Sequence, residues 1–124
     1  MKNRTGRWWG FRVLITATSA AYVLQAVLAG QFLSGTYASL GWHQITATGA
    51  DVLLVCAIAV AVFLRWPGKG EWWPLLASAG LFLAAQAQTA TGAARLLTLH
   101  IPLAVVITVA AVAVAVFAWR APAA

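Results

Sequence analysis

The sequence predicts an all-α membrane protein, a four-transmembrane-helix bundle made of two tandem helical hairpins. Of its 124 residues, 63% are apolar and only 8% are charged, whereas a typical soluble domain has about 25% charged residues. The apolar residues form four runs, each close to the ~20 residues that cross the hydrocarbon core as a helix. Because the connections between runs are short, consecutive helices are expected to be antiparallel neighbours. Residues 1–124 are therefore predicted to form a single membrane domain.

The four predicted spans follow one another with little sequence between them. The first runs from about Phe11 to Leu33 and the second from about Trp42 to Leu64. The third covers about Trp73 to Thr91, and the fourth covers about Leu97 to Trp119. A cleaved signal peptide is the alternative for the first run, but the run is longer than the apolar core of such peptides, about 7–15 residues.

The basic residues predict how the helices are oriented. Positive charges are enriched in cytoplasmic loops. Arg95 is the only basic residue between the third and fourth predicted spans. Both termini and the middle connection are therefore predicted to be cytoplasmic, in a bacterial inner membrane. The chain has a net charge of +6, and its basic residues lie at the ends of the predicted spans, where they meet anionic headgroups. We therefore expect the lipid bilayer as a partner and no nucleic acid. The other seven basic residues fall on the predicted cytoplasmic side: Lys2, Arg4, Arg7, Arg12, Arg65, Lys69 and Arg120.

An offset of 57 residues aligns two halves of the chain, about 7–66 and about 71–120. Each half contains two predicted spans, so the repeats should be parallel and related by an axis along the membrane normal. This symmetry predicts that equivalent positions face each other at the same depth near the outer surface. In the aligned positions Gln31, Gly35, Leu40, His43 and Ala47 match Gln88, Gly92, Leu97, His100 and Ala104.

His43 and His100 are the only histidines in the chain. A symmetric pair of neutral imidazoles in an apolar bundle suits the two axial positions of a haem iron. Zinc and copper are less suited, because no cysteine, carboxylate or methionine accompanies the pair at that depth. The alternative is that each histidine is only a polar side chain at headgroup level.

Other repeat positions are candidate haem contacts. Gly35 and Gly92 lack a side chain and would let a porphyrin edge approach the backbone, or would simply make a turn. Gln31 and Gln88 are placed to orient the ligands or to hydrogen-bond across the bundle. Arg95 is the one predicted outer charge and is a suitable partner for a haem propionate.

The stretch Gln88-Thr-Ala-Thr-Gly92, followed by Leu99-His100 and Ala104, resembles the paired-helix pattern of the haem A synthases. The segment from Gln31 to Ala47 repeats it more loosely. Those enzymes contain two four-helix bundles, each holding a haem between histidines of its second and fourth helices. The resemblance covers both hairpins of this chain. It implies one b-type haem (protohaem IX) with His43 and His100 as axial ligands near the outer surface.

The chain also departs from that family. The synthases carry a catalytic carboxylate in the outer loop before the second helix, whereas residues 34–42 contain no acid. Their paired outer cysteines are absent too, since Cys56 is the only cysteine. We therefore expect a b-type cytochrome that transfers electrons or handles haem, alone, as a homodimer or within a larger redox complex. The alternatives are a haem-free accessory subunit of a larger membrane complex and a half-length haem A synthase-like enzyme.

Asp51 is the only acidic residue within a predicted span. Intramembrane carboxyl groups are costly and usually face the bundle interior or water. A proton relay is one interpretation. The other, favoured by the neutral residue Thr108 at the matching repeat position, is a structural hydrogen bond to Thr18, Tyr22 or Gln25.

Overall fold

The computed structural model describes residues 2–122, with side chains from Thr5 onward. This part of the chain consists of four helices joined by connections. The side chains of Lys2 and Arg4, which entered the orientation argument, lie outside the described residues. The predicted all-α fold and its element order are confirmed. The helices are α1 (Lys2–Leu33), α2 (Ser39–Arg65), α3 (Trp73–Ala93) and α4 (Leu97–Arg120).

Three helices are long and apolar enough to cross a membrane: Thr5–Leu33 of α1, all of α2 and all of α4. The chain is therefore a multi-pass membrane protein. The segment of α3 is shorter, with 21 residues, and more polar, because its second half contains two glutamines and two threonines.

The four helices are arranged in a ring in which each packs mainly against two others. α1 contacts α2 and α4, and α3 contacts the same two helices. α2 and α4 are therefore diagonal partners, as are α1 and α3. This is the arrangement expected when short connections make consecutive helices antiparallel neighbours.

The buried core is concentrated at the end of the bundle that carries most of the basic residues, here called the basic end. In α2 the buried residues recur at spacings of four and three, as in a coiled-coil seam. Many are alanines, whose small side chains let helix backbones approach closely. The core residues of α2 are Ala50, Leu54, Ala57, Ala61 and Leu64, and those of α4 are Ile107, Ala111, Ala115 and Ala118.

An aromatic cluster joins three helices at the basic end. The Trp73 ring lies 5.9 Å from Trp8, 5.7 Å from Phe11 and 4.8 Å from Phe117 between ring centroids. The contacts with the two phenylalanines are edge-to-face, an orientation that adds to the energy of burial. Trp73 thereby fixes the start of α3 against both α1 and α4.

Arg12 ties the beginning of the bundle to its end. Its side chain is only 8% exposed, and it donates from Nε to the Ala118 carbonyl at 2.9 Å and from Nη2 to the Ala121 carbonyl at 2.7 Å. Carbonyls in the last turn of a helix have no intrahelical partner. The guanidinium also lies over the rings of Trp8 and Trp119, at 5.9 and 5.4 Å. One cation therefore satisfies the end of α4 and contacts two indoles.

We predict that Arg12→Ala lowers the free energy of unfolding by about 2–3 kcal/mol, the scale of a hydrogen bond to a charged group. Arg12→Lys should recover only part of the loss, because an ammonium cannot reproduce the directional fork of a guanidinium. The matched control is Arg120→Ala, which removes an exposed arginine at the same end. Thermal unfolding of the three variants in detergent measures the difference. Equal losses for Arg12→Ala and Arg120→Ala would contradict the structural role of Arg12.

Candidate functional site

The two histidines meet at the end of the bundle opposite the basic end, here called the histidine end. His43 lies near the start of α2 and His100 near the start of α4, so diagonal helices bring them together. Their ring centroids are 6.4 Å apart and their planes are inclined by 59°. Both side chains are half-buried.

Each imidazole is oriented by a backbone carbonyl of the preceding helix. Nδ1 of His43 lies 3.1 Å from the carbonyl oxygen of Gln25, and Nδ1 of His100 lies 2.9 Å from that of Gln88. Because a carbonyl only accepts, a neutral ring in this position donates from Nδ1–H and keeps its lone pair on Nε2. This is the tautomer and the second hydrogen bond that metal-bound histidines commonly show.

Gln88 contacts His100 through both its backbone and its side chain. Besides its carbonyl, the side-chain Nε2 of Gln88 lies 3.2 Å from Nε2 of His100, where it donates to the ring's lone pair. Its Oε1 is buried without a hydrogen-bond partner among the described residues. The amide therefore occupies the position that a metal on Nε2 would take, and it does so with one polar atom unsatisfied.

Gly92 provides the space for the His100 ring. A Cβ added at Gly92 would lie 2.7 Å from Cε1 and 2.9 Å from Nδ1 of the imidazole, closer than van der Waals contact allows. At Gly35, the repeat-related position, an added Cβ would meet nothing within 4 Å. The two aligned glycines thus have different local roles.

The two hairpins differ because their first helices end differently. Gly35 adopts a left-handed φ of +100° and closes α1, with the Thr36 N–H donating to the Gln31 carbonyl at 2.9 Å. In the second hairpin Gly92 remains helical, and Arg95 takes the left-handed position with φ of +58°. α3 ends at Ala93, which aligns with residue 36, whereas α1 ends at residue 33. The first connection, residues 34–38, is therefore longer than the second, residues 94–96.

This difference changes the partner of His43. The repeat predicts Gln31 beside it, but its partner is Gln25. The Gln25 carbonyl accepts from Nδ1–H of His43, and Nε2 of Gln25 donates to the His43 carbonyl at 2.6 Å. Gln31 is exposed, and its Oε1 accepts a bond from the Ser39 hydroxyl at 3.0 Å. Sequence reasoning missed Gln25 as a contact of His43, although a glutamine inside an apolar span is a detectable signal.

Arg95 and Asp51 remain apart from these contacts. The Arg95 side chain is exposed in the connection at the histidine end. Asp51 is half-buried and has no hydrogen bond to the three residues proposed for it. Among the described residues, Thr18 instead donates to the carbonyl of Leu14 in its own helix, and the Tyr22 hydroxyl is buried without a partner.

Packing is looser around the histidines than at the basic end. Ser39 is the only fully buried residue in the segments 20–33, 39–49, 86–93 and 97–106. Two grooves of the described chain lie between α1 and α4 and between α3 and α4, and neither is lined by a histidine. A group placed between the rings would therefore have to part the helix ends.

The donor set is two imidazole nitrogens and no more. Residues 5–122 contain no cluster of three histidine, cysteine, aspartate or glutamate side chains that would hold a bare metal ion. Structural zinc uses four protein ligands and catalytic zinc commonly three, so the pair suits a metal that carries its other ligands with it.

No family model matches this chain, and neither a curated protein nor a solved structure matches it.

We predict that Gly92→Ala displaces the His100 ring and breaks its bond to the Gln88 carbonyl, because the added methyl group overlaps the imidazole. Gly80→Ala is the matched control, since it lies in the same helix and its added Cβ meets nothing within 4 Å. The ¹⁵N imidazole spectrum of histidine-labelled protein reports the change. With two histidines in the chain, His43→Ala assigns the signals. An unchanged His100 signal in Gly92→Ala would contradict the close contact.

Proposed function

We propose that this protein is a membrane b-type cytochrome that binds one haem through His43 and His100, for electron transfer or haem handling. The observation that carries the proposal is the histidine pair itself. Two half-buried imidazoles from diagonal helices face each other, and each is held through Nδ1 by a backbone carbonyl. We place the protein in a bacterial cytoplasmic membrane.

The separation of the rings supports a shared metal. Two nitrogens that each lie ~2 Å from one metal ion place their ring centroids about 6 Å apart, and the observed value is 6.4 Å. Haem iron already has four porphyrin nitrogens and needs only two axial ligands. The two-nitrogen donor set therefore fits haem better than it fits a bare ion.

Neighbouring residues support the same assignment. Gln88 would have to leave Nε2 of His100, and its unsatisfied Oε1 makes that rotation inexpensive because one of its polar atoms already lacks a partner. Gly92 lets the His100 ring lie against α3, and the loose packing of this end would allow the helix ends to part. Arg95, exposed at the same end, is the cation available to a propionate.

Bound haem would supply one-electron exchange at iron. With both axial positions taken by histidine, ligand chemistry such as oxygen activation is disfavoured. In this proposal His43 and His100 would ligate the iron, and Gln25 and Gln88 would orient the two imidazole rings. The basic end would hold the helices together.

We further propose that α3 is the fourth span and that both termini face the cytoplasm. At ~1.5 Å per residue, the 21 residues of α3 extend about 32 Å, enough for the hydrocarbon core of about 30 Å. α3 also packs beside α2 and α4, both of which are long and apolar enough to span. Basic residues collect at the end that contains the termini, as the positive-inside rule requires of a cytoplasmic face.

The haem assignment predicts a visible spectrum. Detergent-purified protein, oxidised and then reduced with dithionite, should show a Soret band and the split reduced bands of six-coordinate haem. His43→Ala and His100→Ala should each lose them, while Gln44→Ala, an exposed neighbour of His43, should keep them. A wild-type protein that stays colourless with added haemin would overturn the proposal and favour the haem-free accessory subunit. A bound haem chemically altered during expression would favour the synthase-like enzyme.

The topology predicts which loops react with a membrane-impermeant thiol reagent. In a Cys56→Ser background, a cysteine at Tyr37 or Arg95 should be labelled from the periplasmic side. A cysteine at Lys69 should be labelled only after the membrane is opened. Labelling of the positions at residues 69 and 95 from the same side would show that α3 does not cross the bilayer.

A further inference from the structure

Arg65, the last residue of α2, lies against a pair of indole rings at the basic end. Its guanidinium carbon lies 5.2 Å from the centroid of Trp66 and 4.5 Å from that of Trp72. The two indoles contact each other edge-to-face, with centroids 4.9 Å apart. Such contacts fix the plane of the guanidinium.

The guanidinium of Arg65 makes no hydrogen bond to any described residue, and its Nε is buried. Two other arginines of this end are satisfied: Arg7 donates to the Phe63 carbonyl at 3.0 Å, and Arg12 donates to two carbonyls of the α4 end. Glu71, the nearest acid in sequence, forms no ion pair with Arg65. Nη1 and Nη2 also lack a hydrogen bond to any described residue, but they are not buried. These two donors are therefore open to an acceptor from outside the described chain.

The loop that follows Arg65 is closed tightly on the end of α2. The N–H groups of Lys69 and Gly70 donate to the carbonyls of Arg65 and Leu64, both at 2.9 Å. A Cβ added at Gly70 would lie 2.8 Å from the Leu64 carbonyl oxygen, and one at Gly68 would also collide with it. The loop therefore packs too closely for side chains at either glycine. It brings Trp66 and Trp72 together beside Arg65, and it carries the exposed cation of Lys69.

We propose that Arg65, beside Trp66 and Trp72, binds a phosphate group supplied by the headgroup of an anionic phospholipid. The planar guanidinium matches two phosphate oxygens through parallel hydrogen bonds. Tryptophan is enriched at the level of lipid headgroups, and anionic lipids attract basic residues beside membrane helices. The bilayer thus presents an acceptor at the depth where the two indoles lie. This site is independent of the haem proposal, because it uses only the basic end of the bundle.

The test is a titration of the purified full-length protein with phosphatidylglycerol, followed by native mass spectrometry, with phosphatidylcholine as the uncharged comparison. Arg65→Gln should weaken phosphatidylglycerol binding about tenfold, the scale of one charge-assisted hydrogen bond. Arg120→Gln is the matched control, because it removes one exposed positive charge from the same end; it should change binding less than about twofold, as expected of a screened surface charge. Binding that falls equally in both variants would overturn the site.

Two further measurements test the role of the guanidinium shape and the source of the phosphate group. Arg65→Lys keeps the charge and most of the side chain, so it should fold normally yet still bind phosphatidylglycerol several-fold more weakly; unchanged binding would overturn the role of the guanidinium fork. Inorganic phosphate at millimolar concentration should not compete with the lipid. Effective competition would show that soluble phosphate is the ligand and would overturn the assignment to a phospholipid.

Discussion

The closure of the bundle depends on the buried Arg12 guanidinium, which joins the start of α1 to the end of α4. A guanidinium in an apolar environment is stable only when its donors are satisfied, and the carbonyls of Ala118 and Ala121 satisfy two of them. Those carbonyls need donors for the same reason, since the helix leaves its last turn unpaired. The rings of Trp8 and Trp119 lie beside the same guanidinium. The aromatic cluster around Trp73 lies next to this contact, because Trp8 belongs to both. The alanine-rich core packs beyond it.

Few polar contacts tie the helices together elsewhere. The hydroxyls of Thr18, Ser19, Ser78 and Thr108 donate to carbonyls four residues earlier in their own helices, which satisfies them without linking neighbours. Among the described residues, interhelical hydrogen bonds collect at the two ends: Arg7, Arg12 and Trp119 at one, and the glutamine–histidine pairs at the other. The middle is held by close packing of small side chains. The basic end is therefore closely packed, and the histidine end keeps its polar groups near the surface.

Hydrophobic run length predicted three of the four helices to within about three residues, because an apolar run must stay helical while it is out of water. α1 is the exception, since it begins nine residues before the predicted span. The approach of His43 to His100 followed from the repeat, and so did Gln88 as the partner of His100. The partner of His43 did not. Which residue turns left-handed at a helix end sets the length of the next connection, and that choice differs between Gly35 and Arg95. Such a backbone choice leaves no trace in hydrophobic periodicity. The sequence shows Gln25 as a polar residue inside an apolar span, but not that it takes the place of Gln31 beside His43. Among the described residues the Tyr22 hydroxyl has no hydrogen-bond partner, and Asp51 does not bond to Thr18, Tyr22 or Gln25. These outcomes were equally hidden, because they depend on side-chain directions.

The link between Arg12 and the end of α4 also imposes an order on biosynthesis. Arg12 enters the membrane region with the first helix, but its acceptors at residues 118 and 121 are made more than a hundred residues later. Until then the arginine must rely on water, lipid phosphate or the insertion machinery. The ring of helices can close through this contact only after α4 has been delivered, so closure of the bundle follows translation of residue 121.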